Sequence, residues 1–185
     1  MTAETVSRGV PAATARVGVI GTGAFAVTLL AQSRQIPDLE IAVICDREIR
    51  IAREACLRAG WSAERLVVCA TGAAVAQALG RQQAALVDDP ELLLSAPIDA
   101  LVECTGDPEA GAAHALGAIQ AGRHVVMVNK ETDVVVGPLL NRLASQAGLV
   151  YTPVDGDQHG LLIARVQWAR TLGLGVVCAG KARNE

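Results

Sequence analysis

Val17-Gly18-Val19-Ile20-Gly21-Thr22-Gly23-Ala24-Phe25-Ala26 is an apolar run that stops at a glycine turn, after which a helical pattern begins at once. Strand, tight turn and helix in that order form the opening unit of a dinucleotide-binding fold. Gly21 lets the chain turn sharply, and Gly23 leaves the backbone open to a pyrophosphate. Ala26 stands where Gly or Ala lets the helix pack closely on the strand. The free N–H groups of the first helical turn, around Ala24 to Ala26, would face phosphates with the positive end of the helix dipole. Gly21, Thr22, Gly23, Ala24, Phe25 and Ala26 are therefore read as cofactor-binding. A glycine turn with no ligand is the plainer alternative.

Working outward, the chain alternates strands and helices with short links. A helix from about Gly23 to Gln35 leads through Ile36-Pro37-Asp38 into the strand Leu39 to Cys45, which closes on Asp46-Arg47. A carboxylate at the end of the second strand accepts hydrogen bonds from the ribose of NAD and repels the 2′-phosphate of NADP. Arg47 beside it has a guanidinium that suits a phosphate instead. Asp46 as a cap of the next helix is the local alternative. A helix from Arg47 to Ala59 precedes a short strand, Leu66 to Cys69, and the Ala-rich segment from Thr71 to Gln83 reads as helix. Asp88-Asp89-Pro90 opens another helix. Asp99 to Cys104 is strand again and places Thr105-Gly106 at its carboxyl end. After a helix from Asp107 to Ala121 carrying His114, read as packing or surface, comes the strand His124 to Val128. It delivers Asn129-Lys130-Glu131 to the same edge. Gly137-Pro138 is read as the start of a helix ending near Gly148. Leu149 to Thr152 is the sixth strand, Leu161 to Leu172 a helix, and Val176 to Ala179 a last strand. The pattern predicts an α/β fold: a doubly wound, mostly parallel Rossmann-type sheet with helices on both faces.

Composition bounds the rest. The chain has 185 residues, 51% hydrophobic and 19% charged, with only 2% aromatic, so its core must be Ala, Val, Leu and Ile with helices lying close on the sheet. A net charge of −3 without a basic run argues against a nucleic-acid partner. No apolar run approaches a membrane span, and residues 1–15 read as a flexible tail without the apolar block of a signal peptide. Cys45, Cys56, Cys69, Cys104 and Cys178 lack metal-like spacing and read as reduced, buried thiols of a cytoplasmic protein, with no metal site.

Three groups converge on one edge of the sheet: the glycine turn, Thr105-Gly106, and Asn129-Lys130. The polar loop from Asp155 through Asp157 to His159 is expected to join them. Lys130 could stabilise negative charge that develops during hydride transfer, or could be a solvated lysine at a strand end. Asp155, Asp157 and His159 offer acid–base or metal-binding groups, or an ordinary polar turn.

Val17 to Ala26, Glu103-Cys104-Thr105-Gly106 and above all His124 to Asp133 resemble the homoserine-dehydrogenase-like oxidoreductases. Gly156-Asp157-Gln158 and Cys178-Ala179-Gly180-Lys181 extend the likeness. The nearest branch is that of homoserine-dehydrogenase-like proteins with a C-terminal SAF domain, together with 1-deoxy-D-xylulose 5-phosphate reductoisomerase-like enzymes. The resemblance implies an NAD(P)-dependent hydride transfer on a small polar hydroxy or carbonyl substrate, with NADP slightly favoured. It implies a cofactor lying along Gly21–Ala26, Asp46, Thr105–Gly106 and Asn129, with Lys130 at the cofactor–substrate junction; Asp157, read from the polar loop itself, is a second catalytic candidate. Family members continue into a substrate and dimerisation domain. Residues 16–180 are thus expected to be the cofactor domain and 181–185 the start of the next, with a homo-oligomer in the longer form. A chain of this length alone is expected to bind cofactor with little turnover. A non-catalytic nucleotide-binding or assembly module on the same fold is the rival expectation.

Overall fold

A computed structural model describes residues 14–154 and 159–180. In chain order the elements are β1 (Ala15–Ile20), α1 (Ala24–Ser33), β2 (Leu39–Cys45), α2 (Ile49–Arg58), β3 (Leu66–Val68), α3 (Gly72–Gly80), β4 (Ala84–Val87) and α4 (Pro90–Leu94). They continue with β5 (Ala100–Glu103), α5 (Pro108–Gln120), β6 (His124–Met127), α6 (Lys130–Gln146), β7 (Tyr151–Pro153) and α7 (His159–Thr171). The strands form one sheet in the order β3-β4-β2-β1-β5-β6-β7, and every pairing from β3 to β6 is parallel. The chain builds outward from β1 on one side, then crosses back to β5 on the other. The crevice above the carboxyl ends of β1 and β5 is therefore the switch point at which ligands of such sheets bind.

Successive residues of a strand face opposite sides, so each central strand feeds two cores. Val17, Val19, Ile41 and Ile44 pack with Ala26, Leu30, Ala52 and Cys56 of α1 and α2. Ile20, Val43, Leu101 and Val125 pack on the other side with Leu93, Ala115, Ala118, Leu140 and Ala144 of α4, α5 and α6. Alanines at the helix–sheet contacts are fully buried, as the aromatic-poor composition predicts. This is the doubly wound α/β fold.

The described residues fall into two compact units, one ending at Thr152 and one beginning at Pro153. The second contains α7, and residues 172–180 after it form no strand. The strand expected at Val176 to Ala179 is therefore absent. β-Branched residues favour a strand only where a neighbour completes the ladder, and Val177 is wholly exposed. Nor are all five thiols buried: Cys178 is exposed and Cys104 only partly covered.

The sequence pattern also passed over β4. Ala84-Ala85-Leu86-Val87 continues an Ala-rich helical reading, yet α3 stops at Gly80 and Gln82 adopts a left-handed φ of 58°. The four residues after that turn are all buried, between β2 and β3. Pro138 does not open a helix either. It lies inside α6, which starts at Lys130 because the Asn129 side chain accepts the Thr132 amide as an N-cap.

Candidate cofactor-binding site

Gly21 has φ 87° and donates its N–H to Cys45 O at 2.9 Å, so the turn after β1 is pinned to the end of β2. A Cβ on Gly21 would lie 2.8 Å from both the carbonyl carbon of Cys104 and the amide nitrogen of Thr105. The turn and the β5–α5 loop therefore touch backbone to backbone. Gly23 is the N-cap of α1 and offers no side-chain cap, while a Cβ there would meet nothing within 4 Å. Gly23, Ala24 and Phe25 are exposed and Ala26 is buried against the sheet. The first-turn amides of α1 have no intrahelical partners. Open amides at a helix N-terminus, free space at Gly23 and a sharp turn at Gly21 together fit a dinucleotide pyrophosphate.

Asp46 is tied to this turn. Its Oδ2 accepts from Thr22 N–H at 3.0 Å and from Thr22 Oγ1 at 2.5 Å, and its Oδ1 accepts from Glu48 N–H at 3.2 Å. The cap alternative is half met: Asp46 closes the local turn, but Glu48 is the N-cap residue of α2. Thr22 is buried beneath the glycine turn, and Arg47 is exposed beside Asp46.

On the other side of the switch point, Thr105 and Gly106 are exposed, and Gly106 has φ 76°. Asn129 is buried. Its Nδ2 donates to Asp107 O at 2.7 Å and approaches Thr105 Oγ1 at 3.4 Å, while its Oδ1 caps α6. The Asn129 side chain thus braces the β5–α5 loop rather than standing in the crevice. Lys130, the first residue of α6, is exposed. The loops after β1, β2, β5 and β6 are in this way stitched into one rim. Asp155 and Asp157 lie outside the described residues, as do the side chain of His159 and residues 1–13 and 181–185.

Residue patterns alone did not pick out the groups beneath this rim. Glu103 ends β5 with no exposed surface, and Oε1 accepts from Thr105 Oγ1 at 2.6 Å and lies 3.2 Å from Nδ1 of His114. His114, read as packing or surface, is in fact paired with that acid. Tyr151 donates its hydroxyl to Asp133 Oδ1 at 2.8 Å. Burial, and then that hydrogen bond, push the Tyr151 phenol well above its ordinary range. The sequence signal for Glu103 was a carboxylate closing an apolar strand. Burial, followed by the Glu103 charge, pushes the Cys104 thiol up to about 12, so it is no nucleophile at neutral pH.

A sequence profile described as homoserine dehydrogenase, NAD binding domain, matches residues 17–151, which is most of the chain and all of the rim just described. The chain belongs to this family. It is also 30% identical over 166 residues to a 1-deoxy-D-xylulose 5-phosphate reductoisomerase of Aromatoleum aromaticum. That match covers 82% of this chain but 40% of the relative, so the chain spans well under half of the relative's length. Among solved structures, an oxidoreductase from Agrobacterium radiobacter in complex with NAD+, L-tartaric acid and magnesium aligns with TM-score 0.63 and 15% identity, over 86% of this chain and 41% of that one. The 3-ketoreductase KijD10 from Actinomadura kijaniata, in complex with TDP-benzene and NADP, aligns with TM-score 0.56 and 20% identity, over 86% and 43%. At such identities these two likenesses speak for the fold. As a homoserine dehydrogenase-type NAD-binding domain, the chain is built on an oxidoreductase scaffold. Among its described residues no helix is long and apolar enough to cross a membrane.

Proposed function

We propose that this chain holds NAD(P)(H) across the switch point and serves as the cofactor half of an oxidoreductase acting on a small polar hydroxy or carbonyl substrate. The observation that carries this reading is the stitched rim, in which the open N-terminus of α1 sits between Asp46 and the Thr105–Gly106 turn. The dinucleotide supplies the hydride donor or acceptor. The amides of Ala24 to Ala26 hold the pyrophosphate. Asp46 keeps one acceptor site for a ribose hydroxyl, since Thr22 and Glu48 take three of the about four that a carboxylate has. Its fixed negative charge sets NAD(H) ahead of NADP(H), against the lean implied by the family branch, and Arg47 is the residue that would meet a 2′-phosphate. Lys130 steadies charge on the substrate oxygen, and Asp157 exchanges the proton that accompanies hydride transfer.

The test is fluorescence titration with NADH and NADPH, followed by assay with homoserine, aspartate semialdehyde or a phosphorylated ketose. We expect binding of both nucleotides, NADH the tighter, with little turnover by the 185-residue chain. Hydride transfer needs the reacting carbons held in near contact away from water, and the rim furnishes one wall of such a cleft. Absence of binding by either nucleotide to folded protein would overturn the reading. Steady turnover that disappears in Lys130→Ala would show that no second wall is needed.

A further inference from the structure

Glu103 is a buried acid that this reading leaves without a task. It has no exposed surface, and its Oε2 has no hydrogen-bond partner among the described residues. A carboxylate buried in this way is costly unless it is paired and hydrogen-bonded. Its other oxygen is crowded: Oε1 accepts from Thr105 Oγ1 at 2.6 Å and Thr105 N–H at 3.3 Å, with His114 Nδ1 at 3.2 Å. His114 is the adjacent group able to carry a compensating positive charge. Thr105 also accepts the Asp107 amide at 3.4 Å, so the whole crest of the loop hangs on this acid. Gly111 lets α5 close over it, since a Cβ there would strike Thr132 Oγ1 and lie 2.6 Å from Asn129 Nδ2 and 3.2 Å from Glu103 Oε2.

We propose that Glu103 is a positioning residue whose carboxylate, anchored by His114, fixes the Thr105–Gly106 turn as the rest for the nicotinamide half of the dinucleotide. The proposal rests on the cofactor reading above. Asp46 and the glycine turn lie on the β2–β1 side of the switch point and serve the adenosine and pyrophosphate. The Thr105 turn lies on the β5 side, where the other half must extend. Glu103 therefore acts on one half of the ligand and not the other.

The experiment compares NADH with ADP, which lacks the nicotinamide riboside, by titration calorimetry on wild type, Glu103→Gln, Thr105→Val and the double variant. Charged hydrogen bonds of this kind correspond to about a tenfold change in affinity. Glu103→Gln is expected to weaken NADH about tenfold while ADP keeps its affinity, and the double variant should bind no worse than the weaker single. Equal losses for both nucleotides, additive losses in the double variant, or unchanged NADH affinity would overturn the proposal. Wild type that binds neither nucleotide would instead defeat the cofactor reading itself. His114→Gln, altered at the partly exposed end of the pair, covers the case in which Glu103→Gln does not fold. It should show the same selectivity for NADH, and a loss shared by both nucleotides would again count against the role.

Discussion

Gly21 and Gly23 stand two positions apart in one turn and are needed for opposite reasons. A side chain at Gly21 would meet backbone at 2.8 Å and force φ 87° on an L-residue, so Gly21→Ala should cost at least about 1–2 kcal/mol. For a chain of this size that lowers the thermal midpoint by several degrees, on the order of 3 °C or more. A side chain at Gly23 meets only open space, so Gly23→Val should cost no more than a modest capping penalty, lower the melting midpoint less than Gly21→Ala does, and abolish NADH quenching. Were Gly23→Val to destabilise the fold as much as Gly21→Ala, the division of labour would be wrong. A charge test belongs to the same scale. Asp46→Ala should weaken NADH more than NADPH, and Arg47→Ala the reverse, by titration. The glycines were legible in the sequence because a turn is a local constraint. The grip of Thr22 on Asp46 was not, because the two meet only once β1 and β2 lie side by side.

Among elements, β4 and α6 show where pattern reading fails and why. Ala-rich sequence has high helix propensity, and four residues are too few to display a period, so burial between two parallel strands decides the matter. Leu86 has no exposed surface, and Leu86→Ala should cost about 2–5 kcal/mol, read as a lower urea midpoint at unchanged slope. A loss under about 0.5 kcal/mol would mean that the segment is a surface turn rather than a strand. In α6 the proline misled in the other direction. Pro is common in the first turn of a helix, but here Asn129 supplies the start signal and the helix runs through Pro138. Asn129→Ala should cost about 1 kcal/mol through the cap alone. It should also loosen the β5–α5 loop, visible as faster amide exchange at Thr105 to Asp107. The run Val176-Val177-Cys178-Ala179 has strand propensity without a partner, a condition no single segment can reveal.

For the molecule as a whole, the layered plan was legible because strand–helix alternation and an aromatic-poor composition leave few ways to bury an Ala and Val core. Its thiols make a pH prediction. Burial pushes Cys45 up to about 12 and Cys56 to about 11, from an ordinary 9.0. The folded state therefore holds protons that the unfolded chain releases. Stability should be undiminished below pH 9 and decline between pH 9 and 12, by up to about 1.4 kcal/mol per thiol per pH unit. Tyr151 pulls in the same sense. Urea midpoints measured across that window test this, and Cys45→Ala should flatten the decline. The two tryptophans divide between the compact units. Trp61 is buried, donates its indole N–H to Leu30 O at 2.9 Å and carries the Arg65 guanidinium 4.0 Å above its ring, whereas Trp168 is 65% exposed. Their light should separate accordingly. Trp61 should emit towards the blue and be sheltered from iodide, while Trp168 should emit towards the red and be quenched by it. One unlabelled sample thus carries an optical clock for each unit, and a stopped-flow trace with and without iodide would time the sheet and the C-terminal helix independently.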